Sequence, residues 1–541
     1  MLDWKLLSWR SFLCAGTLLL AANNALHLIA SAIDPLQLDY SEGLVVGGLE
    51  RITHHPGLAT AYSFNPAFYN TTDLAYPPVF PYLAAGLARL LGLFTNFNDP
   101  TGTMTSLYAA RALTLFGLSL SVWLIYRLIR LRHADRLVAA ASASLLLCFH
   151  PTIYWGVYAR VDALGLAFVL AGLYVIVKSQ KSKTSHQLPA TSFQPPTVDT
   201  DPSPLSTQHS ALSTPLSSFI LAILLFWLAL FTKQSLVAAP LAVALYLFFA
   251  GRRREALLFV GALAGLAGIS IAALAFATNG NYLFFLTMER FTPFSIAKMF
   301  KTWGLFLALY WPLCAAAVWQ ARQSFRTGGS ARLLVIWGEL AFLVSLTVGK
   351  AGAADYYFFE IMAFISLMVG WLATPGQKRP LRAGLFRSLA LLQLVALAGV
   401  GIWLDYPAND RDAVREADGQ AASYVRQYAA PDKKIFAEMS GPAIAAGRPD
   451  QVFDHFIFRQ LAAAGQRDGQ ALVQDFATKR FKLALFGYDV LKYDLRPDVT
   501  EPSPWPPGFE KAVRDNYRLL QDIRGSDGRP YAWALVPKDE G

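Results

Sequence analysis

Charged residues are missing from long stretches of this sequence, and that absence limits what the chain can fold into. Apolar runs lie at approximately 11–33, 106–129, 137–157, 161–177, 217–232, 235–250, 256–277, 302–320, 332–349, 356–373 and 385–404. Many reach about 18–23 residues, the length a helix needs to cross roughly 30 Å of hydrocarbon. Packing in water does not demand this clustering; a bilayer does. Charged residues make up 16% of the 541 and hydrophobic ones 54%, whereas a soluble domain carries about 25% charged residues. The expectation is a polytopic α-helical membrane protein of about eleven spans, with a small α/β soluble domain at its C-terminus.

The net charge of +10 does not indicate nucleic-acid binding. Residues 405–541 hold 19 Lys/Arg and 21 Asp/Glu, so the excess lies in the rest of the chain. There the basic residues sit mostly between apolar runs, at headgroup level. Alternating the runs puts five basic connections on one side. They contain Arg127, Arg130, Arg132 and Arg136; Lys178, Lys181 and Lys183; Arg252, Arg253 and Arg254; Arg322, Arg326 and Arg332; and Lys378, Arg379, Arg382 and Arg387. Lys/Arg bias marks the cytoplasmic side. The N-terminus then lies inside, and the 34–105 loop and the C-terminal domain lie outside. Lys5 and Arg10 precede the first run and Ala30-Ser31-Ala32 resembles a cleavage site. The run is long for a cleaved signal, so it reads as a retained helix. Cys14, Cys148 and Cys314 all fall in apolar runs, and 405–541 contains no cysteine. Neither a disulfide framework nor a cysteine zinc site is on offer.

The chain divides into a transmembrane part, 1–404, and an extracytoplasmic α/β domain, 405–541. Residues 179–216 are rich in Ser, Thr, Pro and Gln, which predicts a disordered cytoplasmic linker. Within the 34–105 loop, 79–93 is apolar but short and carries Arg89, which predicts an interfacial or re-entrant helix. In the last domain, helical periodicity is expected around 411–428, 455–477 and 509–520, and strands at 434–438, 481–486 and 531–536. Ser440-Gly441-Pro442 reads as a turn.

Ionisable residues at apolar boundaries are the best guides to function, because burying them is costly. Here they gather on the outer side: Asp39 and Glu42 after the first run, Arg160 and Asp162, Lys233, Lys350, Asp355 and Glu360. Asp39 and Glu42, three apart, share a helix face if the segment is helical. Such a pair suits a general base with a substrate or metal ligand, and equally a solvated helix start. Tyr76-Pro77-Pro78 marks a helix entry. Arg160, Lys233 and Lys350 each sit at the outer end of a span. They suit a phosphate at headgroup level, and equally cations reaching for the interface. No H-x-x-x-H, C-x-x-C or G-x-S-x-G pattern occurs, which leaves metalloprotease and serine-hydrolase chemistry without support.

The order of these motifs resembles a known family. Asp39-Tyr40-Ser41-Glu42-Gly43 is followed by Tyr76-Pro77-Pro78-Val79-Phe80-Pro81-Tyr82, Ala110-Arg111, Arg160-Val161-Asp162-Ala163-Leu164, Lys233-Gln234-Ser235 and Asp355-Tyr356-Tyr357-Phe358-Phe359-Glu360. Over about residues 1–405 this is similar to the GT-C superfamily of membrane glycosyltransferases. The protein O-mannosyltransferases and the lipid A aminoarabinose transferase are of this kind, and the likeness is greatest to bacterial members with an extracytoplasmic C-terminal domain.

The resemblance implies an enzyme of the bacterial inner membrane. It would move a sugar from a polyprenyl-phosphate carrier to a lipid, glycan or protein acceptor at the outer face. Asp39 would be the essential carboxylate with Glu42 as partner. Arg160, Lys233 and Lys350 would bind the donor phosphate, and Tyr76, Asp162, Asp355 and Glu360 would line the chamber. A divalent metal at the carboxylates is compatible with this chemistry and not required by it. The rival classes are a transporter, which would place substrate groups near the midplane in repeated halves, and a non-catalytic scaffold on the same fold.

Overall fold

The computed structural model describes residues 4–35, 40–54, 57, 62, 76–93, 103–132, 134–185, 215–373, 393, 396–397, 406–428, 430, 432–448, 451–452, 454–492 and 505–539. Among these, seven helices are long and apolar enough to cross a membrane: Ser11–Ala32, Met104–Arg130, Asp162–Gln180, Arg253–Ala277, Ile296–Thr327, Ser330–Gly349 and Asp355–Leu372. The expected runs at 217–232 and 235–250 form the shorter helices Leu216–Leu230 and Ala238–Phe249. The run at 137–157 is broken. Helix Arg136–Ser144 passes into a 3-10 turn, Leu145–Cys148, and a new helix starts at His150 with Pro151 in its first turn. Proline supplies no N–H, and the His150 N–H instead donates to the Tyr310 hydroxyl at 2.8 Å. Of the run at 385–404 only residues 393, 396 and 397 are described; 186–214 of the expected linker lies outside the described residues, and residues 179–185 continue the helix Asp162–Ser185.

Burial sorts these helices by depth. Arg253–Ala277 leaves Leu257, Ile269 and Phe276 outward, the last 89% exposed. Such a surface fits lipid and not water. Asp355–Leu372 and Asp162–Gln180 are mostly enclosed by other helices. The protein is an integral membrane protein with those two helices near its centre.

The first loop contributes two packed helices. Tyr40–His54 lies against Val79–Gly92 and Thr103–Arg130. Arg89 donates to the carbonyls of Ile52 and Thr53 at 3.1 and 2.5 Å. Its charge thus caps the C-terminal end of the neighbouring helix, a favourable place for a cation.

The C-terminal region forms a four-stranded sheet: β1 Lys434–Ala437, β2 Phe481–Phe486, β3 Tyr517–Arg524 and β4 Pro530–Pro537, in the order β1-β2-β4-β3. β1 and β2 are parallel and the other pairs antiparallel. Side chains alternate across the sheet. Phe436, Ala484 and Phe486 pack with Phe476, Trp505 and Phe509 on one face. Ile435, Ala437, Leu483 and Leu485 face the other way, in one apolar cluster with Leu44, Val45 and Leu49 of the first-loop helix and with Ala417 and Ala421. That shared cluster, and an ion pair of Arg415 with Asp34 at 3.3 Å, join the sheet to the membrane part.

Three expectations for this region change. The 455–477 periodicity is two helices, His455–Ala463 and Gln470–Ala477, interrupted at Gly465 with φ +67°. Ser440-Gly441-Pro442 opens a short helix, Ser440–Ala445. The 509–520 pattern is helical only to Asn516, and then becomes β3. Tertiary contact decides the last case: the buried Tyr517 hydroxyl donates to the Phe481 carbonyl at 3.0 Å and accepts its N–H at 3.2 Å.

Asp418, buried on the helix Tyr406–Tyr428 that packs on this sheet, accepts from the Tyr531 hydroxyl at 2.8 Å. Burial pushes its carboxyl up to about 6. A raised folded value gives stability that is full below the unfolded value near 3.9 and lost as pH rises through about 6. Asp418→Asn removes that loss. The variant should therefore gain on the wild type by up to the order of 3 kcal/mol between pH 4 and pH 7.5. Thermal melts of both proteins across that range check it, and a constant difference between them contradicts it.

Candidate active site

Helix ends and the turns between them gather at one place. Asp162 opens its helix, where a carboxylate meets the favourable end of the helix dipole. Arg160 lies two residues earlier in the non-helical entry, and Lys233 lies in the turn after Leu216–Leu230. Asp162 binds both cations: its Oδ2 accepts from Arg160 Nε at 3.2 Å and its Oδ1 from Lys233 Nζ at 2.5 Å. All three side chains are nearly excluded from solvent. The Arg160 guanidinium lies 3.9 Å from the Tyr356 ring centre and 5.0 Å from that of Trp155. Lys233 lies 4.6 and 4.3 Å from the Tyr356 and Tyr357 rings. Tyr356 thus contacts two cations, and cation–π attraction of about 0.5–2 kcal/mol each adds to the carboxylate's hold.

These groups border a cavity of about 350 Å³. Arg160, Lys233 and Lys350 line it together with Ser41 and Tyr76. Its other wall comes from the C-terminal region: Asp454, His455, Phe456, Ile457 and Arg459. Lys350 sits on a loop fastened to residues 293–295. Ser295 N–H donates to the Gly349 carbonyl at 2.9 Å and Ala351 N–H to that of Pro293 at 2.8 Å. The Lys298 ammonium spans the same loop, donating to the carbonyls of Lys350 and Ala353 at 2.7 and 2.6 Å. Tyr76 is held from behind, its carbonyl accepting from the buried Tyr62 hydroxyl at 2.8 Å. Four cations against Asp454 and the buried Asp162 leave the cavity net positive. Burial, aided by Arg459, pushes the His455 imidazole down to about 3, so it faces the cavity as a neutral group.

The remaining candidates take other positions. Glu360 is buried behind the cavity, accepting from the Trp337 indole at 2.7 Å, and shares a small recess with Asp162, Lys233, Tyr356 and Tyr357. Asp355 is outside the cavity lining. It accepts from the Trp155 indole N–H and lies 3.9 Å from His150 Nδ1. Glu42 is sealed off from any substrate: it and Arg111 are each 0% exposed in a bidentate pair at 2.8–2.9 Å. In that setting the carboxylate is held by Arg111 and by the Ala159 N–H. Asp39 lies outside the described residues. Among the described residues no group of three or more His, Cys, Asp or Glu side chains could hold a metal ion.

Sequence reasoning missed the wall at 454–459. The available signal was an N-cap: Asp454 precedes an apolar helical pattern, and its Oδ1 accepts the Ile457 N–H at 2.8 Å. Nothing in that pattern says which way the helix end points.

No protein-family model and no curated protein matches the chain. Solved structures do. ArnT from Cupriavidus metallidurans bound to undecaprenyl phosphate superposes with a TM-score of 0.59 at 12% identity, over 96% of this chain and 97% of that one. The same protein in the apo state gives 0.54 at 13%, over 96% and 98%. The Archaeoglobus fulgidus oligosaccharyltransferase in the apo form gives 0.51 at 12%, over 88% and 70%. The chain has the GT-C fold. At such identities the likeness carries the architecture and no residue roles. Within that GT-C architecture, the charged cavity stands where apolar helices end and the C-terminal region begins.

The two-cation clamp sets its own test. Removing one partner from a buried ionic group leaves uncompensated charge and costs about 3–5 kcal/mol. Asp162→Asn should lower the melting temperature markedly in detergent, whereas Asp355→Asn, more exposed, should lower it little. Equal melting of Asp162→Asn and the wild type would show that Arg160 and Lys233 do not depend on Asp162.

Proposed function

We propose that this protein is a glycosyltransferase that moves a sugar from a polyprenyl-phosphate carrier to an acceptor at the outer face of the membrane. The observation that carries the reading is the meeting of Arg160, Lys233 and Lys350 on one net-positive cavity at the ends of apolar helices. A donor that is half lipid and half phosphosugar needs that combination. Its chain lies among apolar helices, and its phosphate meets fixed cations under aromatic rings. The neighbours support the same kind of chemistry, since one is an aminoarabinose transferase bound to undecaprenyl phosphate and another an oligosaccharyltransferase.

In this reading the acceptor hydroxyl loses its proton to Asp39 as it attacks the anomeric carbon. The bond from that carbon to the carrier phosphate oxygen breaks, and polyprenyl phosphate leaves. The leaving phosphate gains negative charge, which cations already in place stabilise as it develops. Arg160 offers a planar fork of donors to it, and Lys233 and Lys350 offer point charges. Asp162 and Tyr356 hold the first two cations in direction, so that reorganisation at the moment of reaction is small.

Membranes carrying the protein should transfer label from a radiolabelled polyprenyl-phosphate sugar to an acceptor fraction. Asp39→Asn should lower the rate by about 10²–10⁴-fold with expression and melting temperature unchanged. Arg160→Ala and Lys350→Ala should chiefly raise the KM for the donor. Uptake of the labelled sugar without transfer would replace this reading with transport. Full activity in Asp39→Asn would remove that residue from the chemistry.

The orientation is proposed with the function. In a background lacking the three natural cysteines, a cysteine at Thr207 should react with an impermeant thiol reagent only after permeabilisation. A cysteine at Asp450 should react in intact cells. Labelling of both from one side overturns the arrangement.

A further inference from the structure

Glu42 and Arg111 form a buried pair that the proposed chemistry does not use. Arg111 Nε and Nη2 grip Glu42 Oε1 and Oε2 at 2.9 and 2.8 Å. Arg111 Nη1 donates to the carbonyls of Ser31 and Asp34 at 3.2 and 2.5 Å. Glu42 Oε1 also accepts the Ala159 N–H at 2.8 Å. The next residue is Arg160, whose carbonyl accepts from the Thr114 hydroxyl at 3.1 Å, one turn along the helix that carries Arg111. Its Nη1 donates at 2.9 Å to Ser41, the neighbour of Glu42 in sequence. Backbone and side chain of Arg160 are therefore both tied to the two helices that this ion pair joins.

A fully buried pair is a weak source of stability, since apolar side chains of equal volume often serve as well. What a bidentate pair supplies is direction. We propose that Glu42 and Arg111 are positioning residues for Arg160: they hold the Ala159 N–H and so fix the backbone that leads into Arg160, and the guanidinium enters the cavity at one angle and depth. The function reading gives Arg160 a phosphate to bind, and the proposal rests on that reading. Asp162 then holds the guanidinium from inside, Ser41 from the edge, and Glu42 through the backbone.

The test is a double-mutant cycle read as binding of undecaprenyl phosphate to purified full-length protein in detergent. The variants are Glu42→Gln, Arg160→Ala and the two combined, each measured on the folded, monodisperse fraction. Glu42→Gln should weaken binding about tenfold in the wild-type background and leave it unchanged in the Arg160→Ala background, since residues that act through one another are not additive. A purely structural role would lower the yield of folded protein without changing the affinity of what remains, or would weaken both backgrounds by one factor; either result overturns the proposal. Should Glu42→Gln not fold, the double replacement Glu42→Met with Arg111→Met, which leaves no orphan charge, enters the same cycle. Wild-type protein that ignores undecaprenyl phosphate sinks the donor reading and this proposal together. Wild-type protein that binds it, with an additive cycle, sinks the proposal alone.

Discussion

The site depends on one buried carboxylate. Asp162 holds two cations that come from different parts of the chain, and burying any of the three without the others would be prohibitive. The geometry around it follows from this requirement. The helix that Asp162 opens must approach Thr103–Arg130 closely, and Gly117 makes room: a Cβ there would lie 2.6 Å from the Leu164 backbone. The turn after Leu216–Leu230 must bring Lys233 back toward the cavity. It is tied there from the first loop, where the Val79 N–H donates to the Phe231 carbonyl at 3.0 Å. The 3-10 turn Asp355–Phe358 must present Tyr356 to both cations. One carboxylate cannot neutralise two cations, so a positive charge remains to meet an anion.

The sequence announced this in part. Arg160, Lys233 and Lys350 stand out because each ends a span on the side poor in Lys and Arg, and all three line one cavity. The long apolar helices were legible for the same reason: membrane length and charge exclusion act locally, on consecutive residues. What stayed hidden was non-local. Spacing makes Glu42 a natural partner for Asp39, yet the side chain turns into the protein to meet Arg111, 69 residues away. Asp162, expected only to line the chamber, binds the two cations beside it. Asp355 and Glu360 belong to a motif that reads as one unit, but Asp355 holds Trp155 while Glu360 holds Trp337. Helix termination at Asn516 needed Tyr517 to find Phe481 across the sheet. Local patterns do not encode such partners.

The C-terminal region is bound to the cavity by a contact that only small residues allow. Gly352 has φ +76°, and a Cβ there would lie 2.8 Å from the Phe456 ring. The loop bearing Lys350 therefore bends where a side chain would be strained, and its bend receives an aromatic ring from the other part of the chain. Phe456 and Arg459 reach the cavity from the same helix, His455–Ala463, whose outer side is braced by Trp505 stacked 4.6 Å from Phe509. Arg459 itself lies 5.0 Å from the Trp505 ring. The aromatic core of the sheet thus sets the position of a cation at the cavity wall.

This arrangement assigns different work to the two walls. On the membrane side the cations are clamped by Asp162 and by aromatic rings, so their positions are fixed before anything binds. Lys350, also on the membrane side, is placed by the loop that Lys298 and Gly349 fasten, and on the C-terminal side Arg459 is held by a ring face. Arg160 is held by ring faces too, and in addition donates to Asp162 and Ser41. Phe456 and Arg459 line the same cavity as Arg160 and Lys233. Fixed charge at the inner wall suits an anion whose charge grows during a reaction. The ring-held guanidinium of Arg459 adds a positive charge at the wall that the C-terminal region supplies.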